Sequence, residues 1–172
     1  MHRSYLDHIA VTAPSLASGV DYVRRTLGVT PQGGGEHPRM GTHNRFVKLG
    51  ERLYLEVIAI NPAAPAPGRP RWFQLDDPDS SRSPRLAAWI ARTDDIHGAV
   101  AASPRPLGKV EPMSRGQLNW LFTIPENGRL VMQRLAPILI QWPEGIHPAD
   151  TLENSGCSLV AHIQTPGGLK KL

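Results

Sequence analysis

A chain of 172 residues is long enough to bury a core, and 40% hydrophobic with 20% charged residues is an ordinary globular balance, so one domain or two small fused modules are expected. The net charge of +4 is scattered rather than striped, which excludes nucleic-acid binding, and no apolar stretch approaches the ~20 residues that span a bilayer, which excludes a membrane helix. One cysteine, Cys157, excludes an internal disulfide and thiolate zinc sites, and a first apolar run interrupted by Asp7 and His8 is no leader, so a cytoplasmic protein is expected.

Leu6 to Val11 is short, branched at intervals and bounded by Thr12-Ala13-Pro14, so it reads as a strand. Ser15 then caps a helix in which Leu16, Val20, Val23 and Leu27 recur at helical spacing, with Gly28 as its stop. A short strand is expected near Val29 to Gln32. Gly33-Gly34-Gly35 reads as a loop, or as a place where backbone must come close to something. Asn44 to Leu49 and Arg52 to Ile60, joined across Gly50-Glu51, read as a hairpin. Residues 61–85 hold six prolines (62, 65, 67, 70, 78 and 84) and form an extended crossover, yet Arg71-Trp72-Phe73 within it is too apolar to float free.

The order then repeats. Leu86 to Ala91 is a strand, Asp94 or Asp95 caps a short helix through Val100, and Lys109 to Met113 and Gln117 to Ile124 are strands. After the turn Glu126-Asn127-Gly128, the run Arg129 to Trp142 holds the last strand, bent or restarted at Pro137. Each half is βαβββ, and two half-sheets that cannot bury their faces alone can close on each other. The expected fold is therefore α+β: a cupped mixed sheet of two paired modules, 1–60 and 86–148, around a central pocket. Residues 149–172 form a tail. Its Leu159-Val160-Ala161-His162-Ile163 echoes Leu6-Asp7-His8-Ile9, and reads either as a strand on a sheet edge or as the start of a third unit cut short.

Matching places in the two copies put His8, Glu56, Trp89 and Gln141 around one groove. A lone strand histidine is more often a satisfied interior residue than a ligand. Glu56 says more, because Tyr54-Leu55-Glu56-Val57-Ile58 should be buried and a buried carboxylate must find a cation, a metal or donors. The glycine run lacks the Lys-Ser or Lys-Thr of a phosphate loop and instead carries His37 towards the groove, with Asn44 the favoured inward residue after it. Trp120 and Trp142 are expected to line the groove or the core.

The ordered series Leu6-Asp7-His8-Ile9, Gly34-Gly35-Glu36-His37-Pro38, Gly41-Thr42-His43-Asn44, Tyr54-Leu55-Glu56, Arg71-Trp72-Phe73-Gln74-Leu75-Asp76 and Ile138-Leu139-Ile140-Gln141-Trp142 with His147-Pro148 resembles the glyoxalase-like family. That family lies in the vicinal oxygen chelate superfamily of glyoxalases, bleomycin-resistance proteins and extradiol dioxygenases. The resemblance implies a divalent metal (Zn, Ni, Co, Mn or Fe) held by His8, Glu56 and Gln141. Trp89 breaks that set, since indole offers no lone pair. It also implies a lyase or isomerase acting on a small oxygenated metabolite, with Glu56 as the catalytic ligand or base; the groove reading of the residues themselves adds His37, Asn44, Trp120 and Trp142 as the expected substrate-binding side chains. The alternative is a metal-free pocket that sequesters a small molecule. The expected partner is that small molecule, with a homodimer allowed and no nucleic acid or membrane.

Overall fold

The computed structural model describes residues 3–160, 162–165 and 168–171. Among the described residues, ten strands and two α-helices run in the order β1 (Ser4–Thr12), α1 (Leu16–Leu27), β2 (Gln32–His37), β3 (Thr42–Gly50), β4 (Leu53–Ile60), β5 (Arg85–Thr93), α2 (Ile96–Ala101), β6 (Lys109–Arg115), β7 (Leu118–Ile124), β8 (Ile138–Gln141), β9 (His162–Thr165) and β10 (Gly168–Lys171). The first eight strands form one mixed sheet in the order β2-β3-β4-β1-β5-β8-β7-β6, and β9 pairs with β10 in a separate two-stranded sheet. Ala161, within the echo of the first strand, lies outside the described residues, as do Pro166 and Gly167.

The strand order is that of a duplication. In each half the first strand runs parallel to the last, β1 with β4 and β5 with β8, and the halves join where β1 lies antiparallel to β5. The cupped α+β sheet expected from the sequence is the fold observed. Salt bridges and hydrogen bonds draw the two ends of the sheet together across its mouth. The Arg39 guanidinium donates to the Pro112 carbonyl at 2.8 Å and pairs with Glu111, while Arg115 on β6 reaches Asn44 on β3.

Alternation along the strands divides the core into two layers. On the convex side, Val11, Val47, Leu55 and Val57 pack under α1, and Ala91, Leu107 and Leu139 pack with Ile96 of α2. Helix α1 starts at a capping box between Ser15 and Ser18 and ends at Gly28 in the left-handed conformation. On the concave side, Ala88, Ile90, Trp120, Phe122, Ile138 and Ile140 are joined by Trp72, Phe73 and Leu75 of the crossover, which are nearly inaccessible. The Arg71-Trp72-Phe73 segment thus packs back on the sheet and fills the second half of the cup.

One expectation about local structure needs correction, and another is met. Gly33-Gly34-Gly35 lies inside strand β2 rather than in a loop. Gly33 and Gly34 take left-handed φ angles of 56° and 91° where the register with β3 slips between Gln32 and Gly35. The last strand restarts after Pro137, as expected, and covers Ile138–Gln141. Upstream of it Met132, Gln133 and Arg134 have positive φ angles in and beside a tight turn, so no ladder forms before Pro137. Among the described residues no helix is long and apolar enough to cross a membrane.

Candidate active site

The polar half of the cup is built from strands of the first module. His8 comes from β1, His37 from β2, Asn44 from β3, and Tyr54 and Glu56 from β4, all of them buried. Asp7 joins them against the usual alternation. The register between β1 and β5 slips between Leu6 and His8, and this bulge turns both Asp7 and His8 to the concave side.

His8 is held between two carboxylates. Its Nδ1 lies 2.6 Å from Asp7 Oδ1, its Nε2 lies 3.6 Å from Glu56 Oε2, and its ring stacks on Tyr54 with centroids 4.4 Å apart. Asp7 has two further donors: Trp142 Nε1 and His147 Nε2, each 3.1 Å from Oδ2. The tautomer of His147 follows from its other nitrogen, because Nδ1 accepts the Ala149 N–H at 3.2 Å and leaves Nε2 to donate. Glu56 is fixed from the opposite side by Asn44, whose Nδ2 donates to Oε1 at 2.5 Å. Asn44 Oδ1 accepts the Gly35 N–H at 3.0 Å and the Arg115 guanidinium at 3.3 Å.

These contacts set the protonation states. Burial alone would strip His8 of its proton. Hydrogen bonds to Asp7 and Glu56, and the charges of both, outweigh it and raise the pKa to about 9. Burial would push the Glu56 carboxyl up, yet His8, His37 and Asn44 together hold it below its ordinary value. Asp7 is likewise lowered well below the usual carboxylate range, with the His147 and His8 hydrogen bonds overcoming burial. His37 goes the other way. Burial, opposed by Glu56 but aided by Arg115, drives it down to about 4, so its ring is neutral at pH 7, with Nδ1 3.1 Å from Thr42 Oγ1 and Nε2 3.4 Å from Asn44 Nδ2.

The remaining walls are aromatic. Trp72, Phe73, Trp120, Phe122 and Trp142 close around His8, His37 and Glu56, leaving a central space of about 20 Å³, enough for one water-sized group. The Trp72 indole N–H is buried there without a hydrogen-bond partner among the described residues.

The structure brings together His8, Glu56, His37, Asn44, Trp120 and Trp142 of the residues singled out from the sequence. It does not bring Gln141 to them. Alternation along β8 aims Ile140 into the chamber and Gln141 to the convex side, where its Oε1 accepts the Ile96 N–H at the start of α2 at 2.8 Å. Trp89 is also off the site. It is 37% exposed and donates to the Leu135 carbonyl, while its neighbours Ala88 and Ile90 face the concave core. Asp7, Tyr54, Arg115 and His147 were not among the sequence candidates. His147-Pro148 belonged to the ordered series that carried the resemblance, so that signal was present. The bulge that turns Asp7 inward left no trace in the pattern.

A divalent metal at the implied positions would find the imidazole of His8 and the carboxylate of Glu56, with hydrocarbon from Ile90 and Ile140 opposite. Among the described residues no three His, Cys, Asp or Glu side chains group as a metal site would require. With Gln141 engaged by the Ile96 N–H and Ile140 facing the chamber in its place, the donor set does not fit a resident metal.

Residues 6–165 match the model of the glyoxalase-like domain family, and the chain belongs to that family. No curated protein matches it. A hypothetical protein from Staphylococcus aureus shares the fold with a TM-score of 0.56 at 16% identity, over 83% of this chain and 60% of that one, so this chain spans less than two thirds of it. A hypothetical protein from Bacillus halodurans gives 0.55 at 15% identity over 84% and 98% of the two chains. A substituted methylmalonyl-CoA epimerase from Streptomyces coelicolor, in complex with 2-nitronate-propionyl-CoA, gives 0.52 at 16% identity over 83% and 96%. These likenesses establish the fold.

Proposed function

We propose that this protein is an isomerase or lyase that moves a proton on a small oxygenated metabolite, with Glu56 as base and the His8 imidazolium as the group that receives developing negative charge. One observation carries the reading: the His8 imidazole Nε2 and the Glu56 carboxylate face each other at 3.6 Å in an aromatic-walled chamber, each fixed from behind. That separation is too long for a strong hydrogen bond, so both groups retain interaction capacity for a third partner.

A carbonyl oxygen set against His8 Nε2–H would place the adjacent C–H towards Glu56 Oε2. Glu56 takes the proton, the C–H electron pair moves into the carbonyl, and the enolate oxygen is held by His8. Return of the proton to another face or carbon completes an isomerisation. Substrate binding also helps the base. A carbonyl that engages the His8 Nε2–H draws it away from Glu56 and weakens the largest influence lowering the Glu56 pKa, and burial then raises its basicity. Asp7, with its three donors, keeps the imidazolium charged and aimed throughout.

The test is proton exchange in D2O on a panel of carbon acids (pyruvate, pyruvamide and dihydroxyacetone), followed by NMR with wild type and Glu56→Gln. Exchange in wild type that falls by about a hundredfold or more in Glu56→Gln supports the acid–base reading. Exchange that survives the substitution contradicts it. The aromatic walls favour one second reading, a metal-free pocket that sequesters a small molecule. Saturable binding without exchange in wild type would select it.

A further inference from the structure

A hollow of about 700 Å³ opens on the outer side of the chamber, lined in part by Gly33, Gly34, Gly35, Phe46, Leu152 and Arg115. Arg115 is the residue that lines both spaces. It sits at the end of β6, half-buried, with its guanidinium 4.6 Å from the Phe46 ring centroid and 3.3 Å from Asn44 Oδ1. Among the described residues no carboxylate pairs with it, although Arg39, Arg69 and Arg71 each have one. A half-buried guanidinium with unused donors, at the opening of a reactive chamber, is a place for an anion.

The glycine run is shaped around this side chain. A Cβ on Gly35 would lie 3.0 Å from Arg115 Cδ and 3.1 Å from its Cγ, so the bare backbone there is what lets the arginine stem cross β2. A Cβ on Gly34 would lie 2.0 Å from the Asn44 carbonyl oxygen, so that glycine keeps β2 close enough for Gly35 to bond Asn44. The same amide that Arg115 touches on one side binds Glu56 on the other.

We propose that Arg115 anchors the carboxylate of the substrate, which is a short oxygenated acid whose anionic group lies within two or three bonds of the carbon that Glu56 deprotonates. The claim rests on the acid–base reading of the chamber and adds the substrate class. Distance sets the length, because only the width of the Asn44 carboxamide separates the guanidinium from Glu56. Charge sets the anion. A planar guanidinium matches a carboxylate edge on, and Glu36 on the rim of the hollow disfavours a dianion such as phosphate.

The test uses the whole chain with pyruvate, its neutral isostere pyruvamide, malonate and inorganic phosphate, read by calorimetry and tryptophan fluorescence. At least one carboxylate should bind saturably, at least about tenfold tighter than pyruvamide and tighter than phosphate. Arg115→Gln should weaken carboxylate binding by about ten- to a hundredfold and leave pyruvamide unchanged, which also reports that the fold is intact. Arg115→Lys should fall between. Gly35→Ala keeps the charge but pushes the stem aside, and should weaken carboxylates while sparing pyruvamide. Pyruvamide binding as tightly as pyruvate, indifference of carboxylates to Arg115→Gln, a preference for phosphate, or no binding by any probe would each overturn the proposal. Arg115-dependent carboxylate binding without deuterium exchange would remove the acid–base reading and keep the anchor. Exchange on pyruvate that depends on Glu56 but is equally efficient in Arg115→Gln would do the reverse.

Discussion

Two buried histidines a few ångströms from the same carboxylate are pushed in opposite directions, and stability should record both. His8 has a folded pKa of about 9 against an ordinary 6.5, so its contribution is complete below 6.5 and is lost as pH rises through 9. His37 has a folded pKa of about 4, so its contribution is complete above 6.5 and is lost as pH falls towards 4. Asp7 and Glu56, both lowered, add stability above their ordinary values of 3.8 and 4.5 and steepen the acid side. The melting temperature should therefore peak near pH 6.5 and fall on both flanks, with the alkaline loss on the order of 3 kcal/mol. His37→Gln should flatten the limb between pH 4 and 6.5 without changing the alkaline limb, and His8→Gln should flatten the alkaline limb. A profile that rises steadily from pH 6.5 to 9 would contradict the charged state of His8.

At the scale of elements, the site depends on departures from regular strands. Gly34 combines a φ of 91° with a Cβ position 2.0 Å from the Asn44 oxygen, so Gly34→Ala should cost more than about 2 kcal/mol in a denaturant melt and dislodge β2. An alanine tolerated at no cost would mean that β2 is not held against β3 as described. The same departures explain what the sequence could and could not show. Alternation and caps made β1, α1, the β3–β4 hairpin and the repeated order readable. Facing directions were readable where alternation was unbroken, as at Asn44 and Glu56. A strand shifted by one residue turns every side chain over. That shift is why Trp89 and Gln141 were placed in the groove when Ile90 and Ile140 occupy it, and the bulge before His8 is why Asp7 was passed over. The glycine run signalled close approach, but the partner in that approach, Arg115, lies 80 positions downstream of Gly35 in another module, where no local pattern points to it.

The whole molecule is a duplication whose halves have diverged in chemistry. The first module supplies His8, His37, Tyr54 and Glu56, the second supplies Arg115, Trp120, Phe122 and Ile140, and two segments outside the sheet finish the chamber. The crossover lends Trp72 and Phe73, and the stretch after β8 lends Trp142 and His147, which bind Asp7. Among the described residues the second module supplies no metal ligand, and in the proposed mechanism the positive charge facing the substrate is that of His8, held between Asp7 and Glu56. The most direct test of this account is the 15N spectrum of His8 in the intact protein, followed from pH 5 to pH 10. Both ring nitrogens should show the protonated shift through neutral pH and titrate near 9, and added divalent metals should leave them unmoved. A neutral ring at pH 7 with an unprotonated Nε2, or one that shifts on addition of zinc, would contradict it.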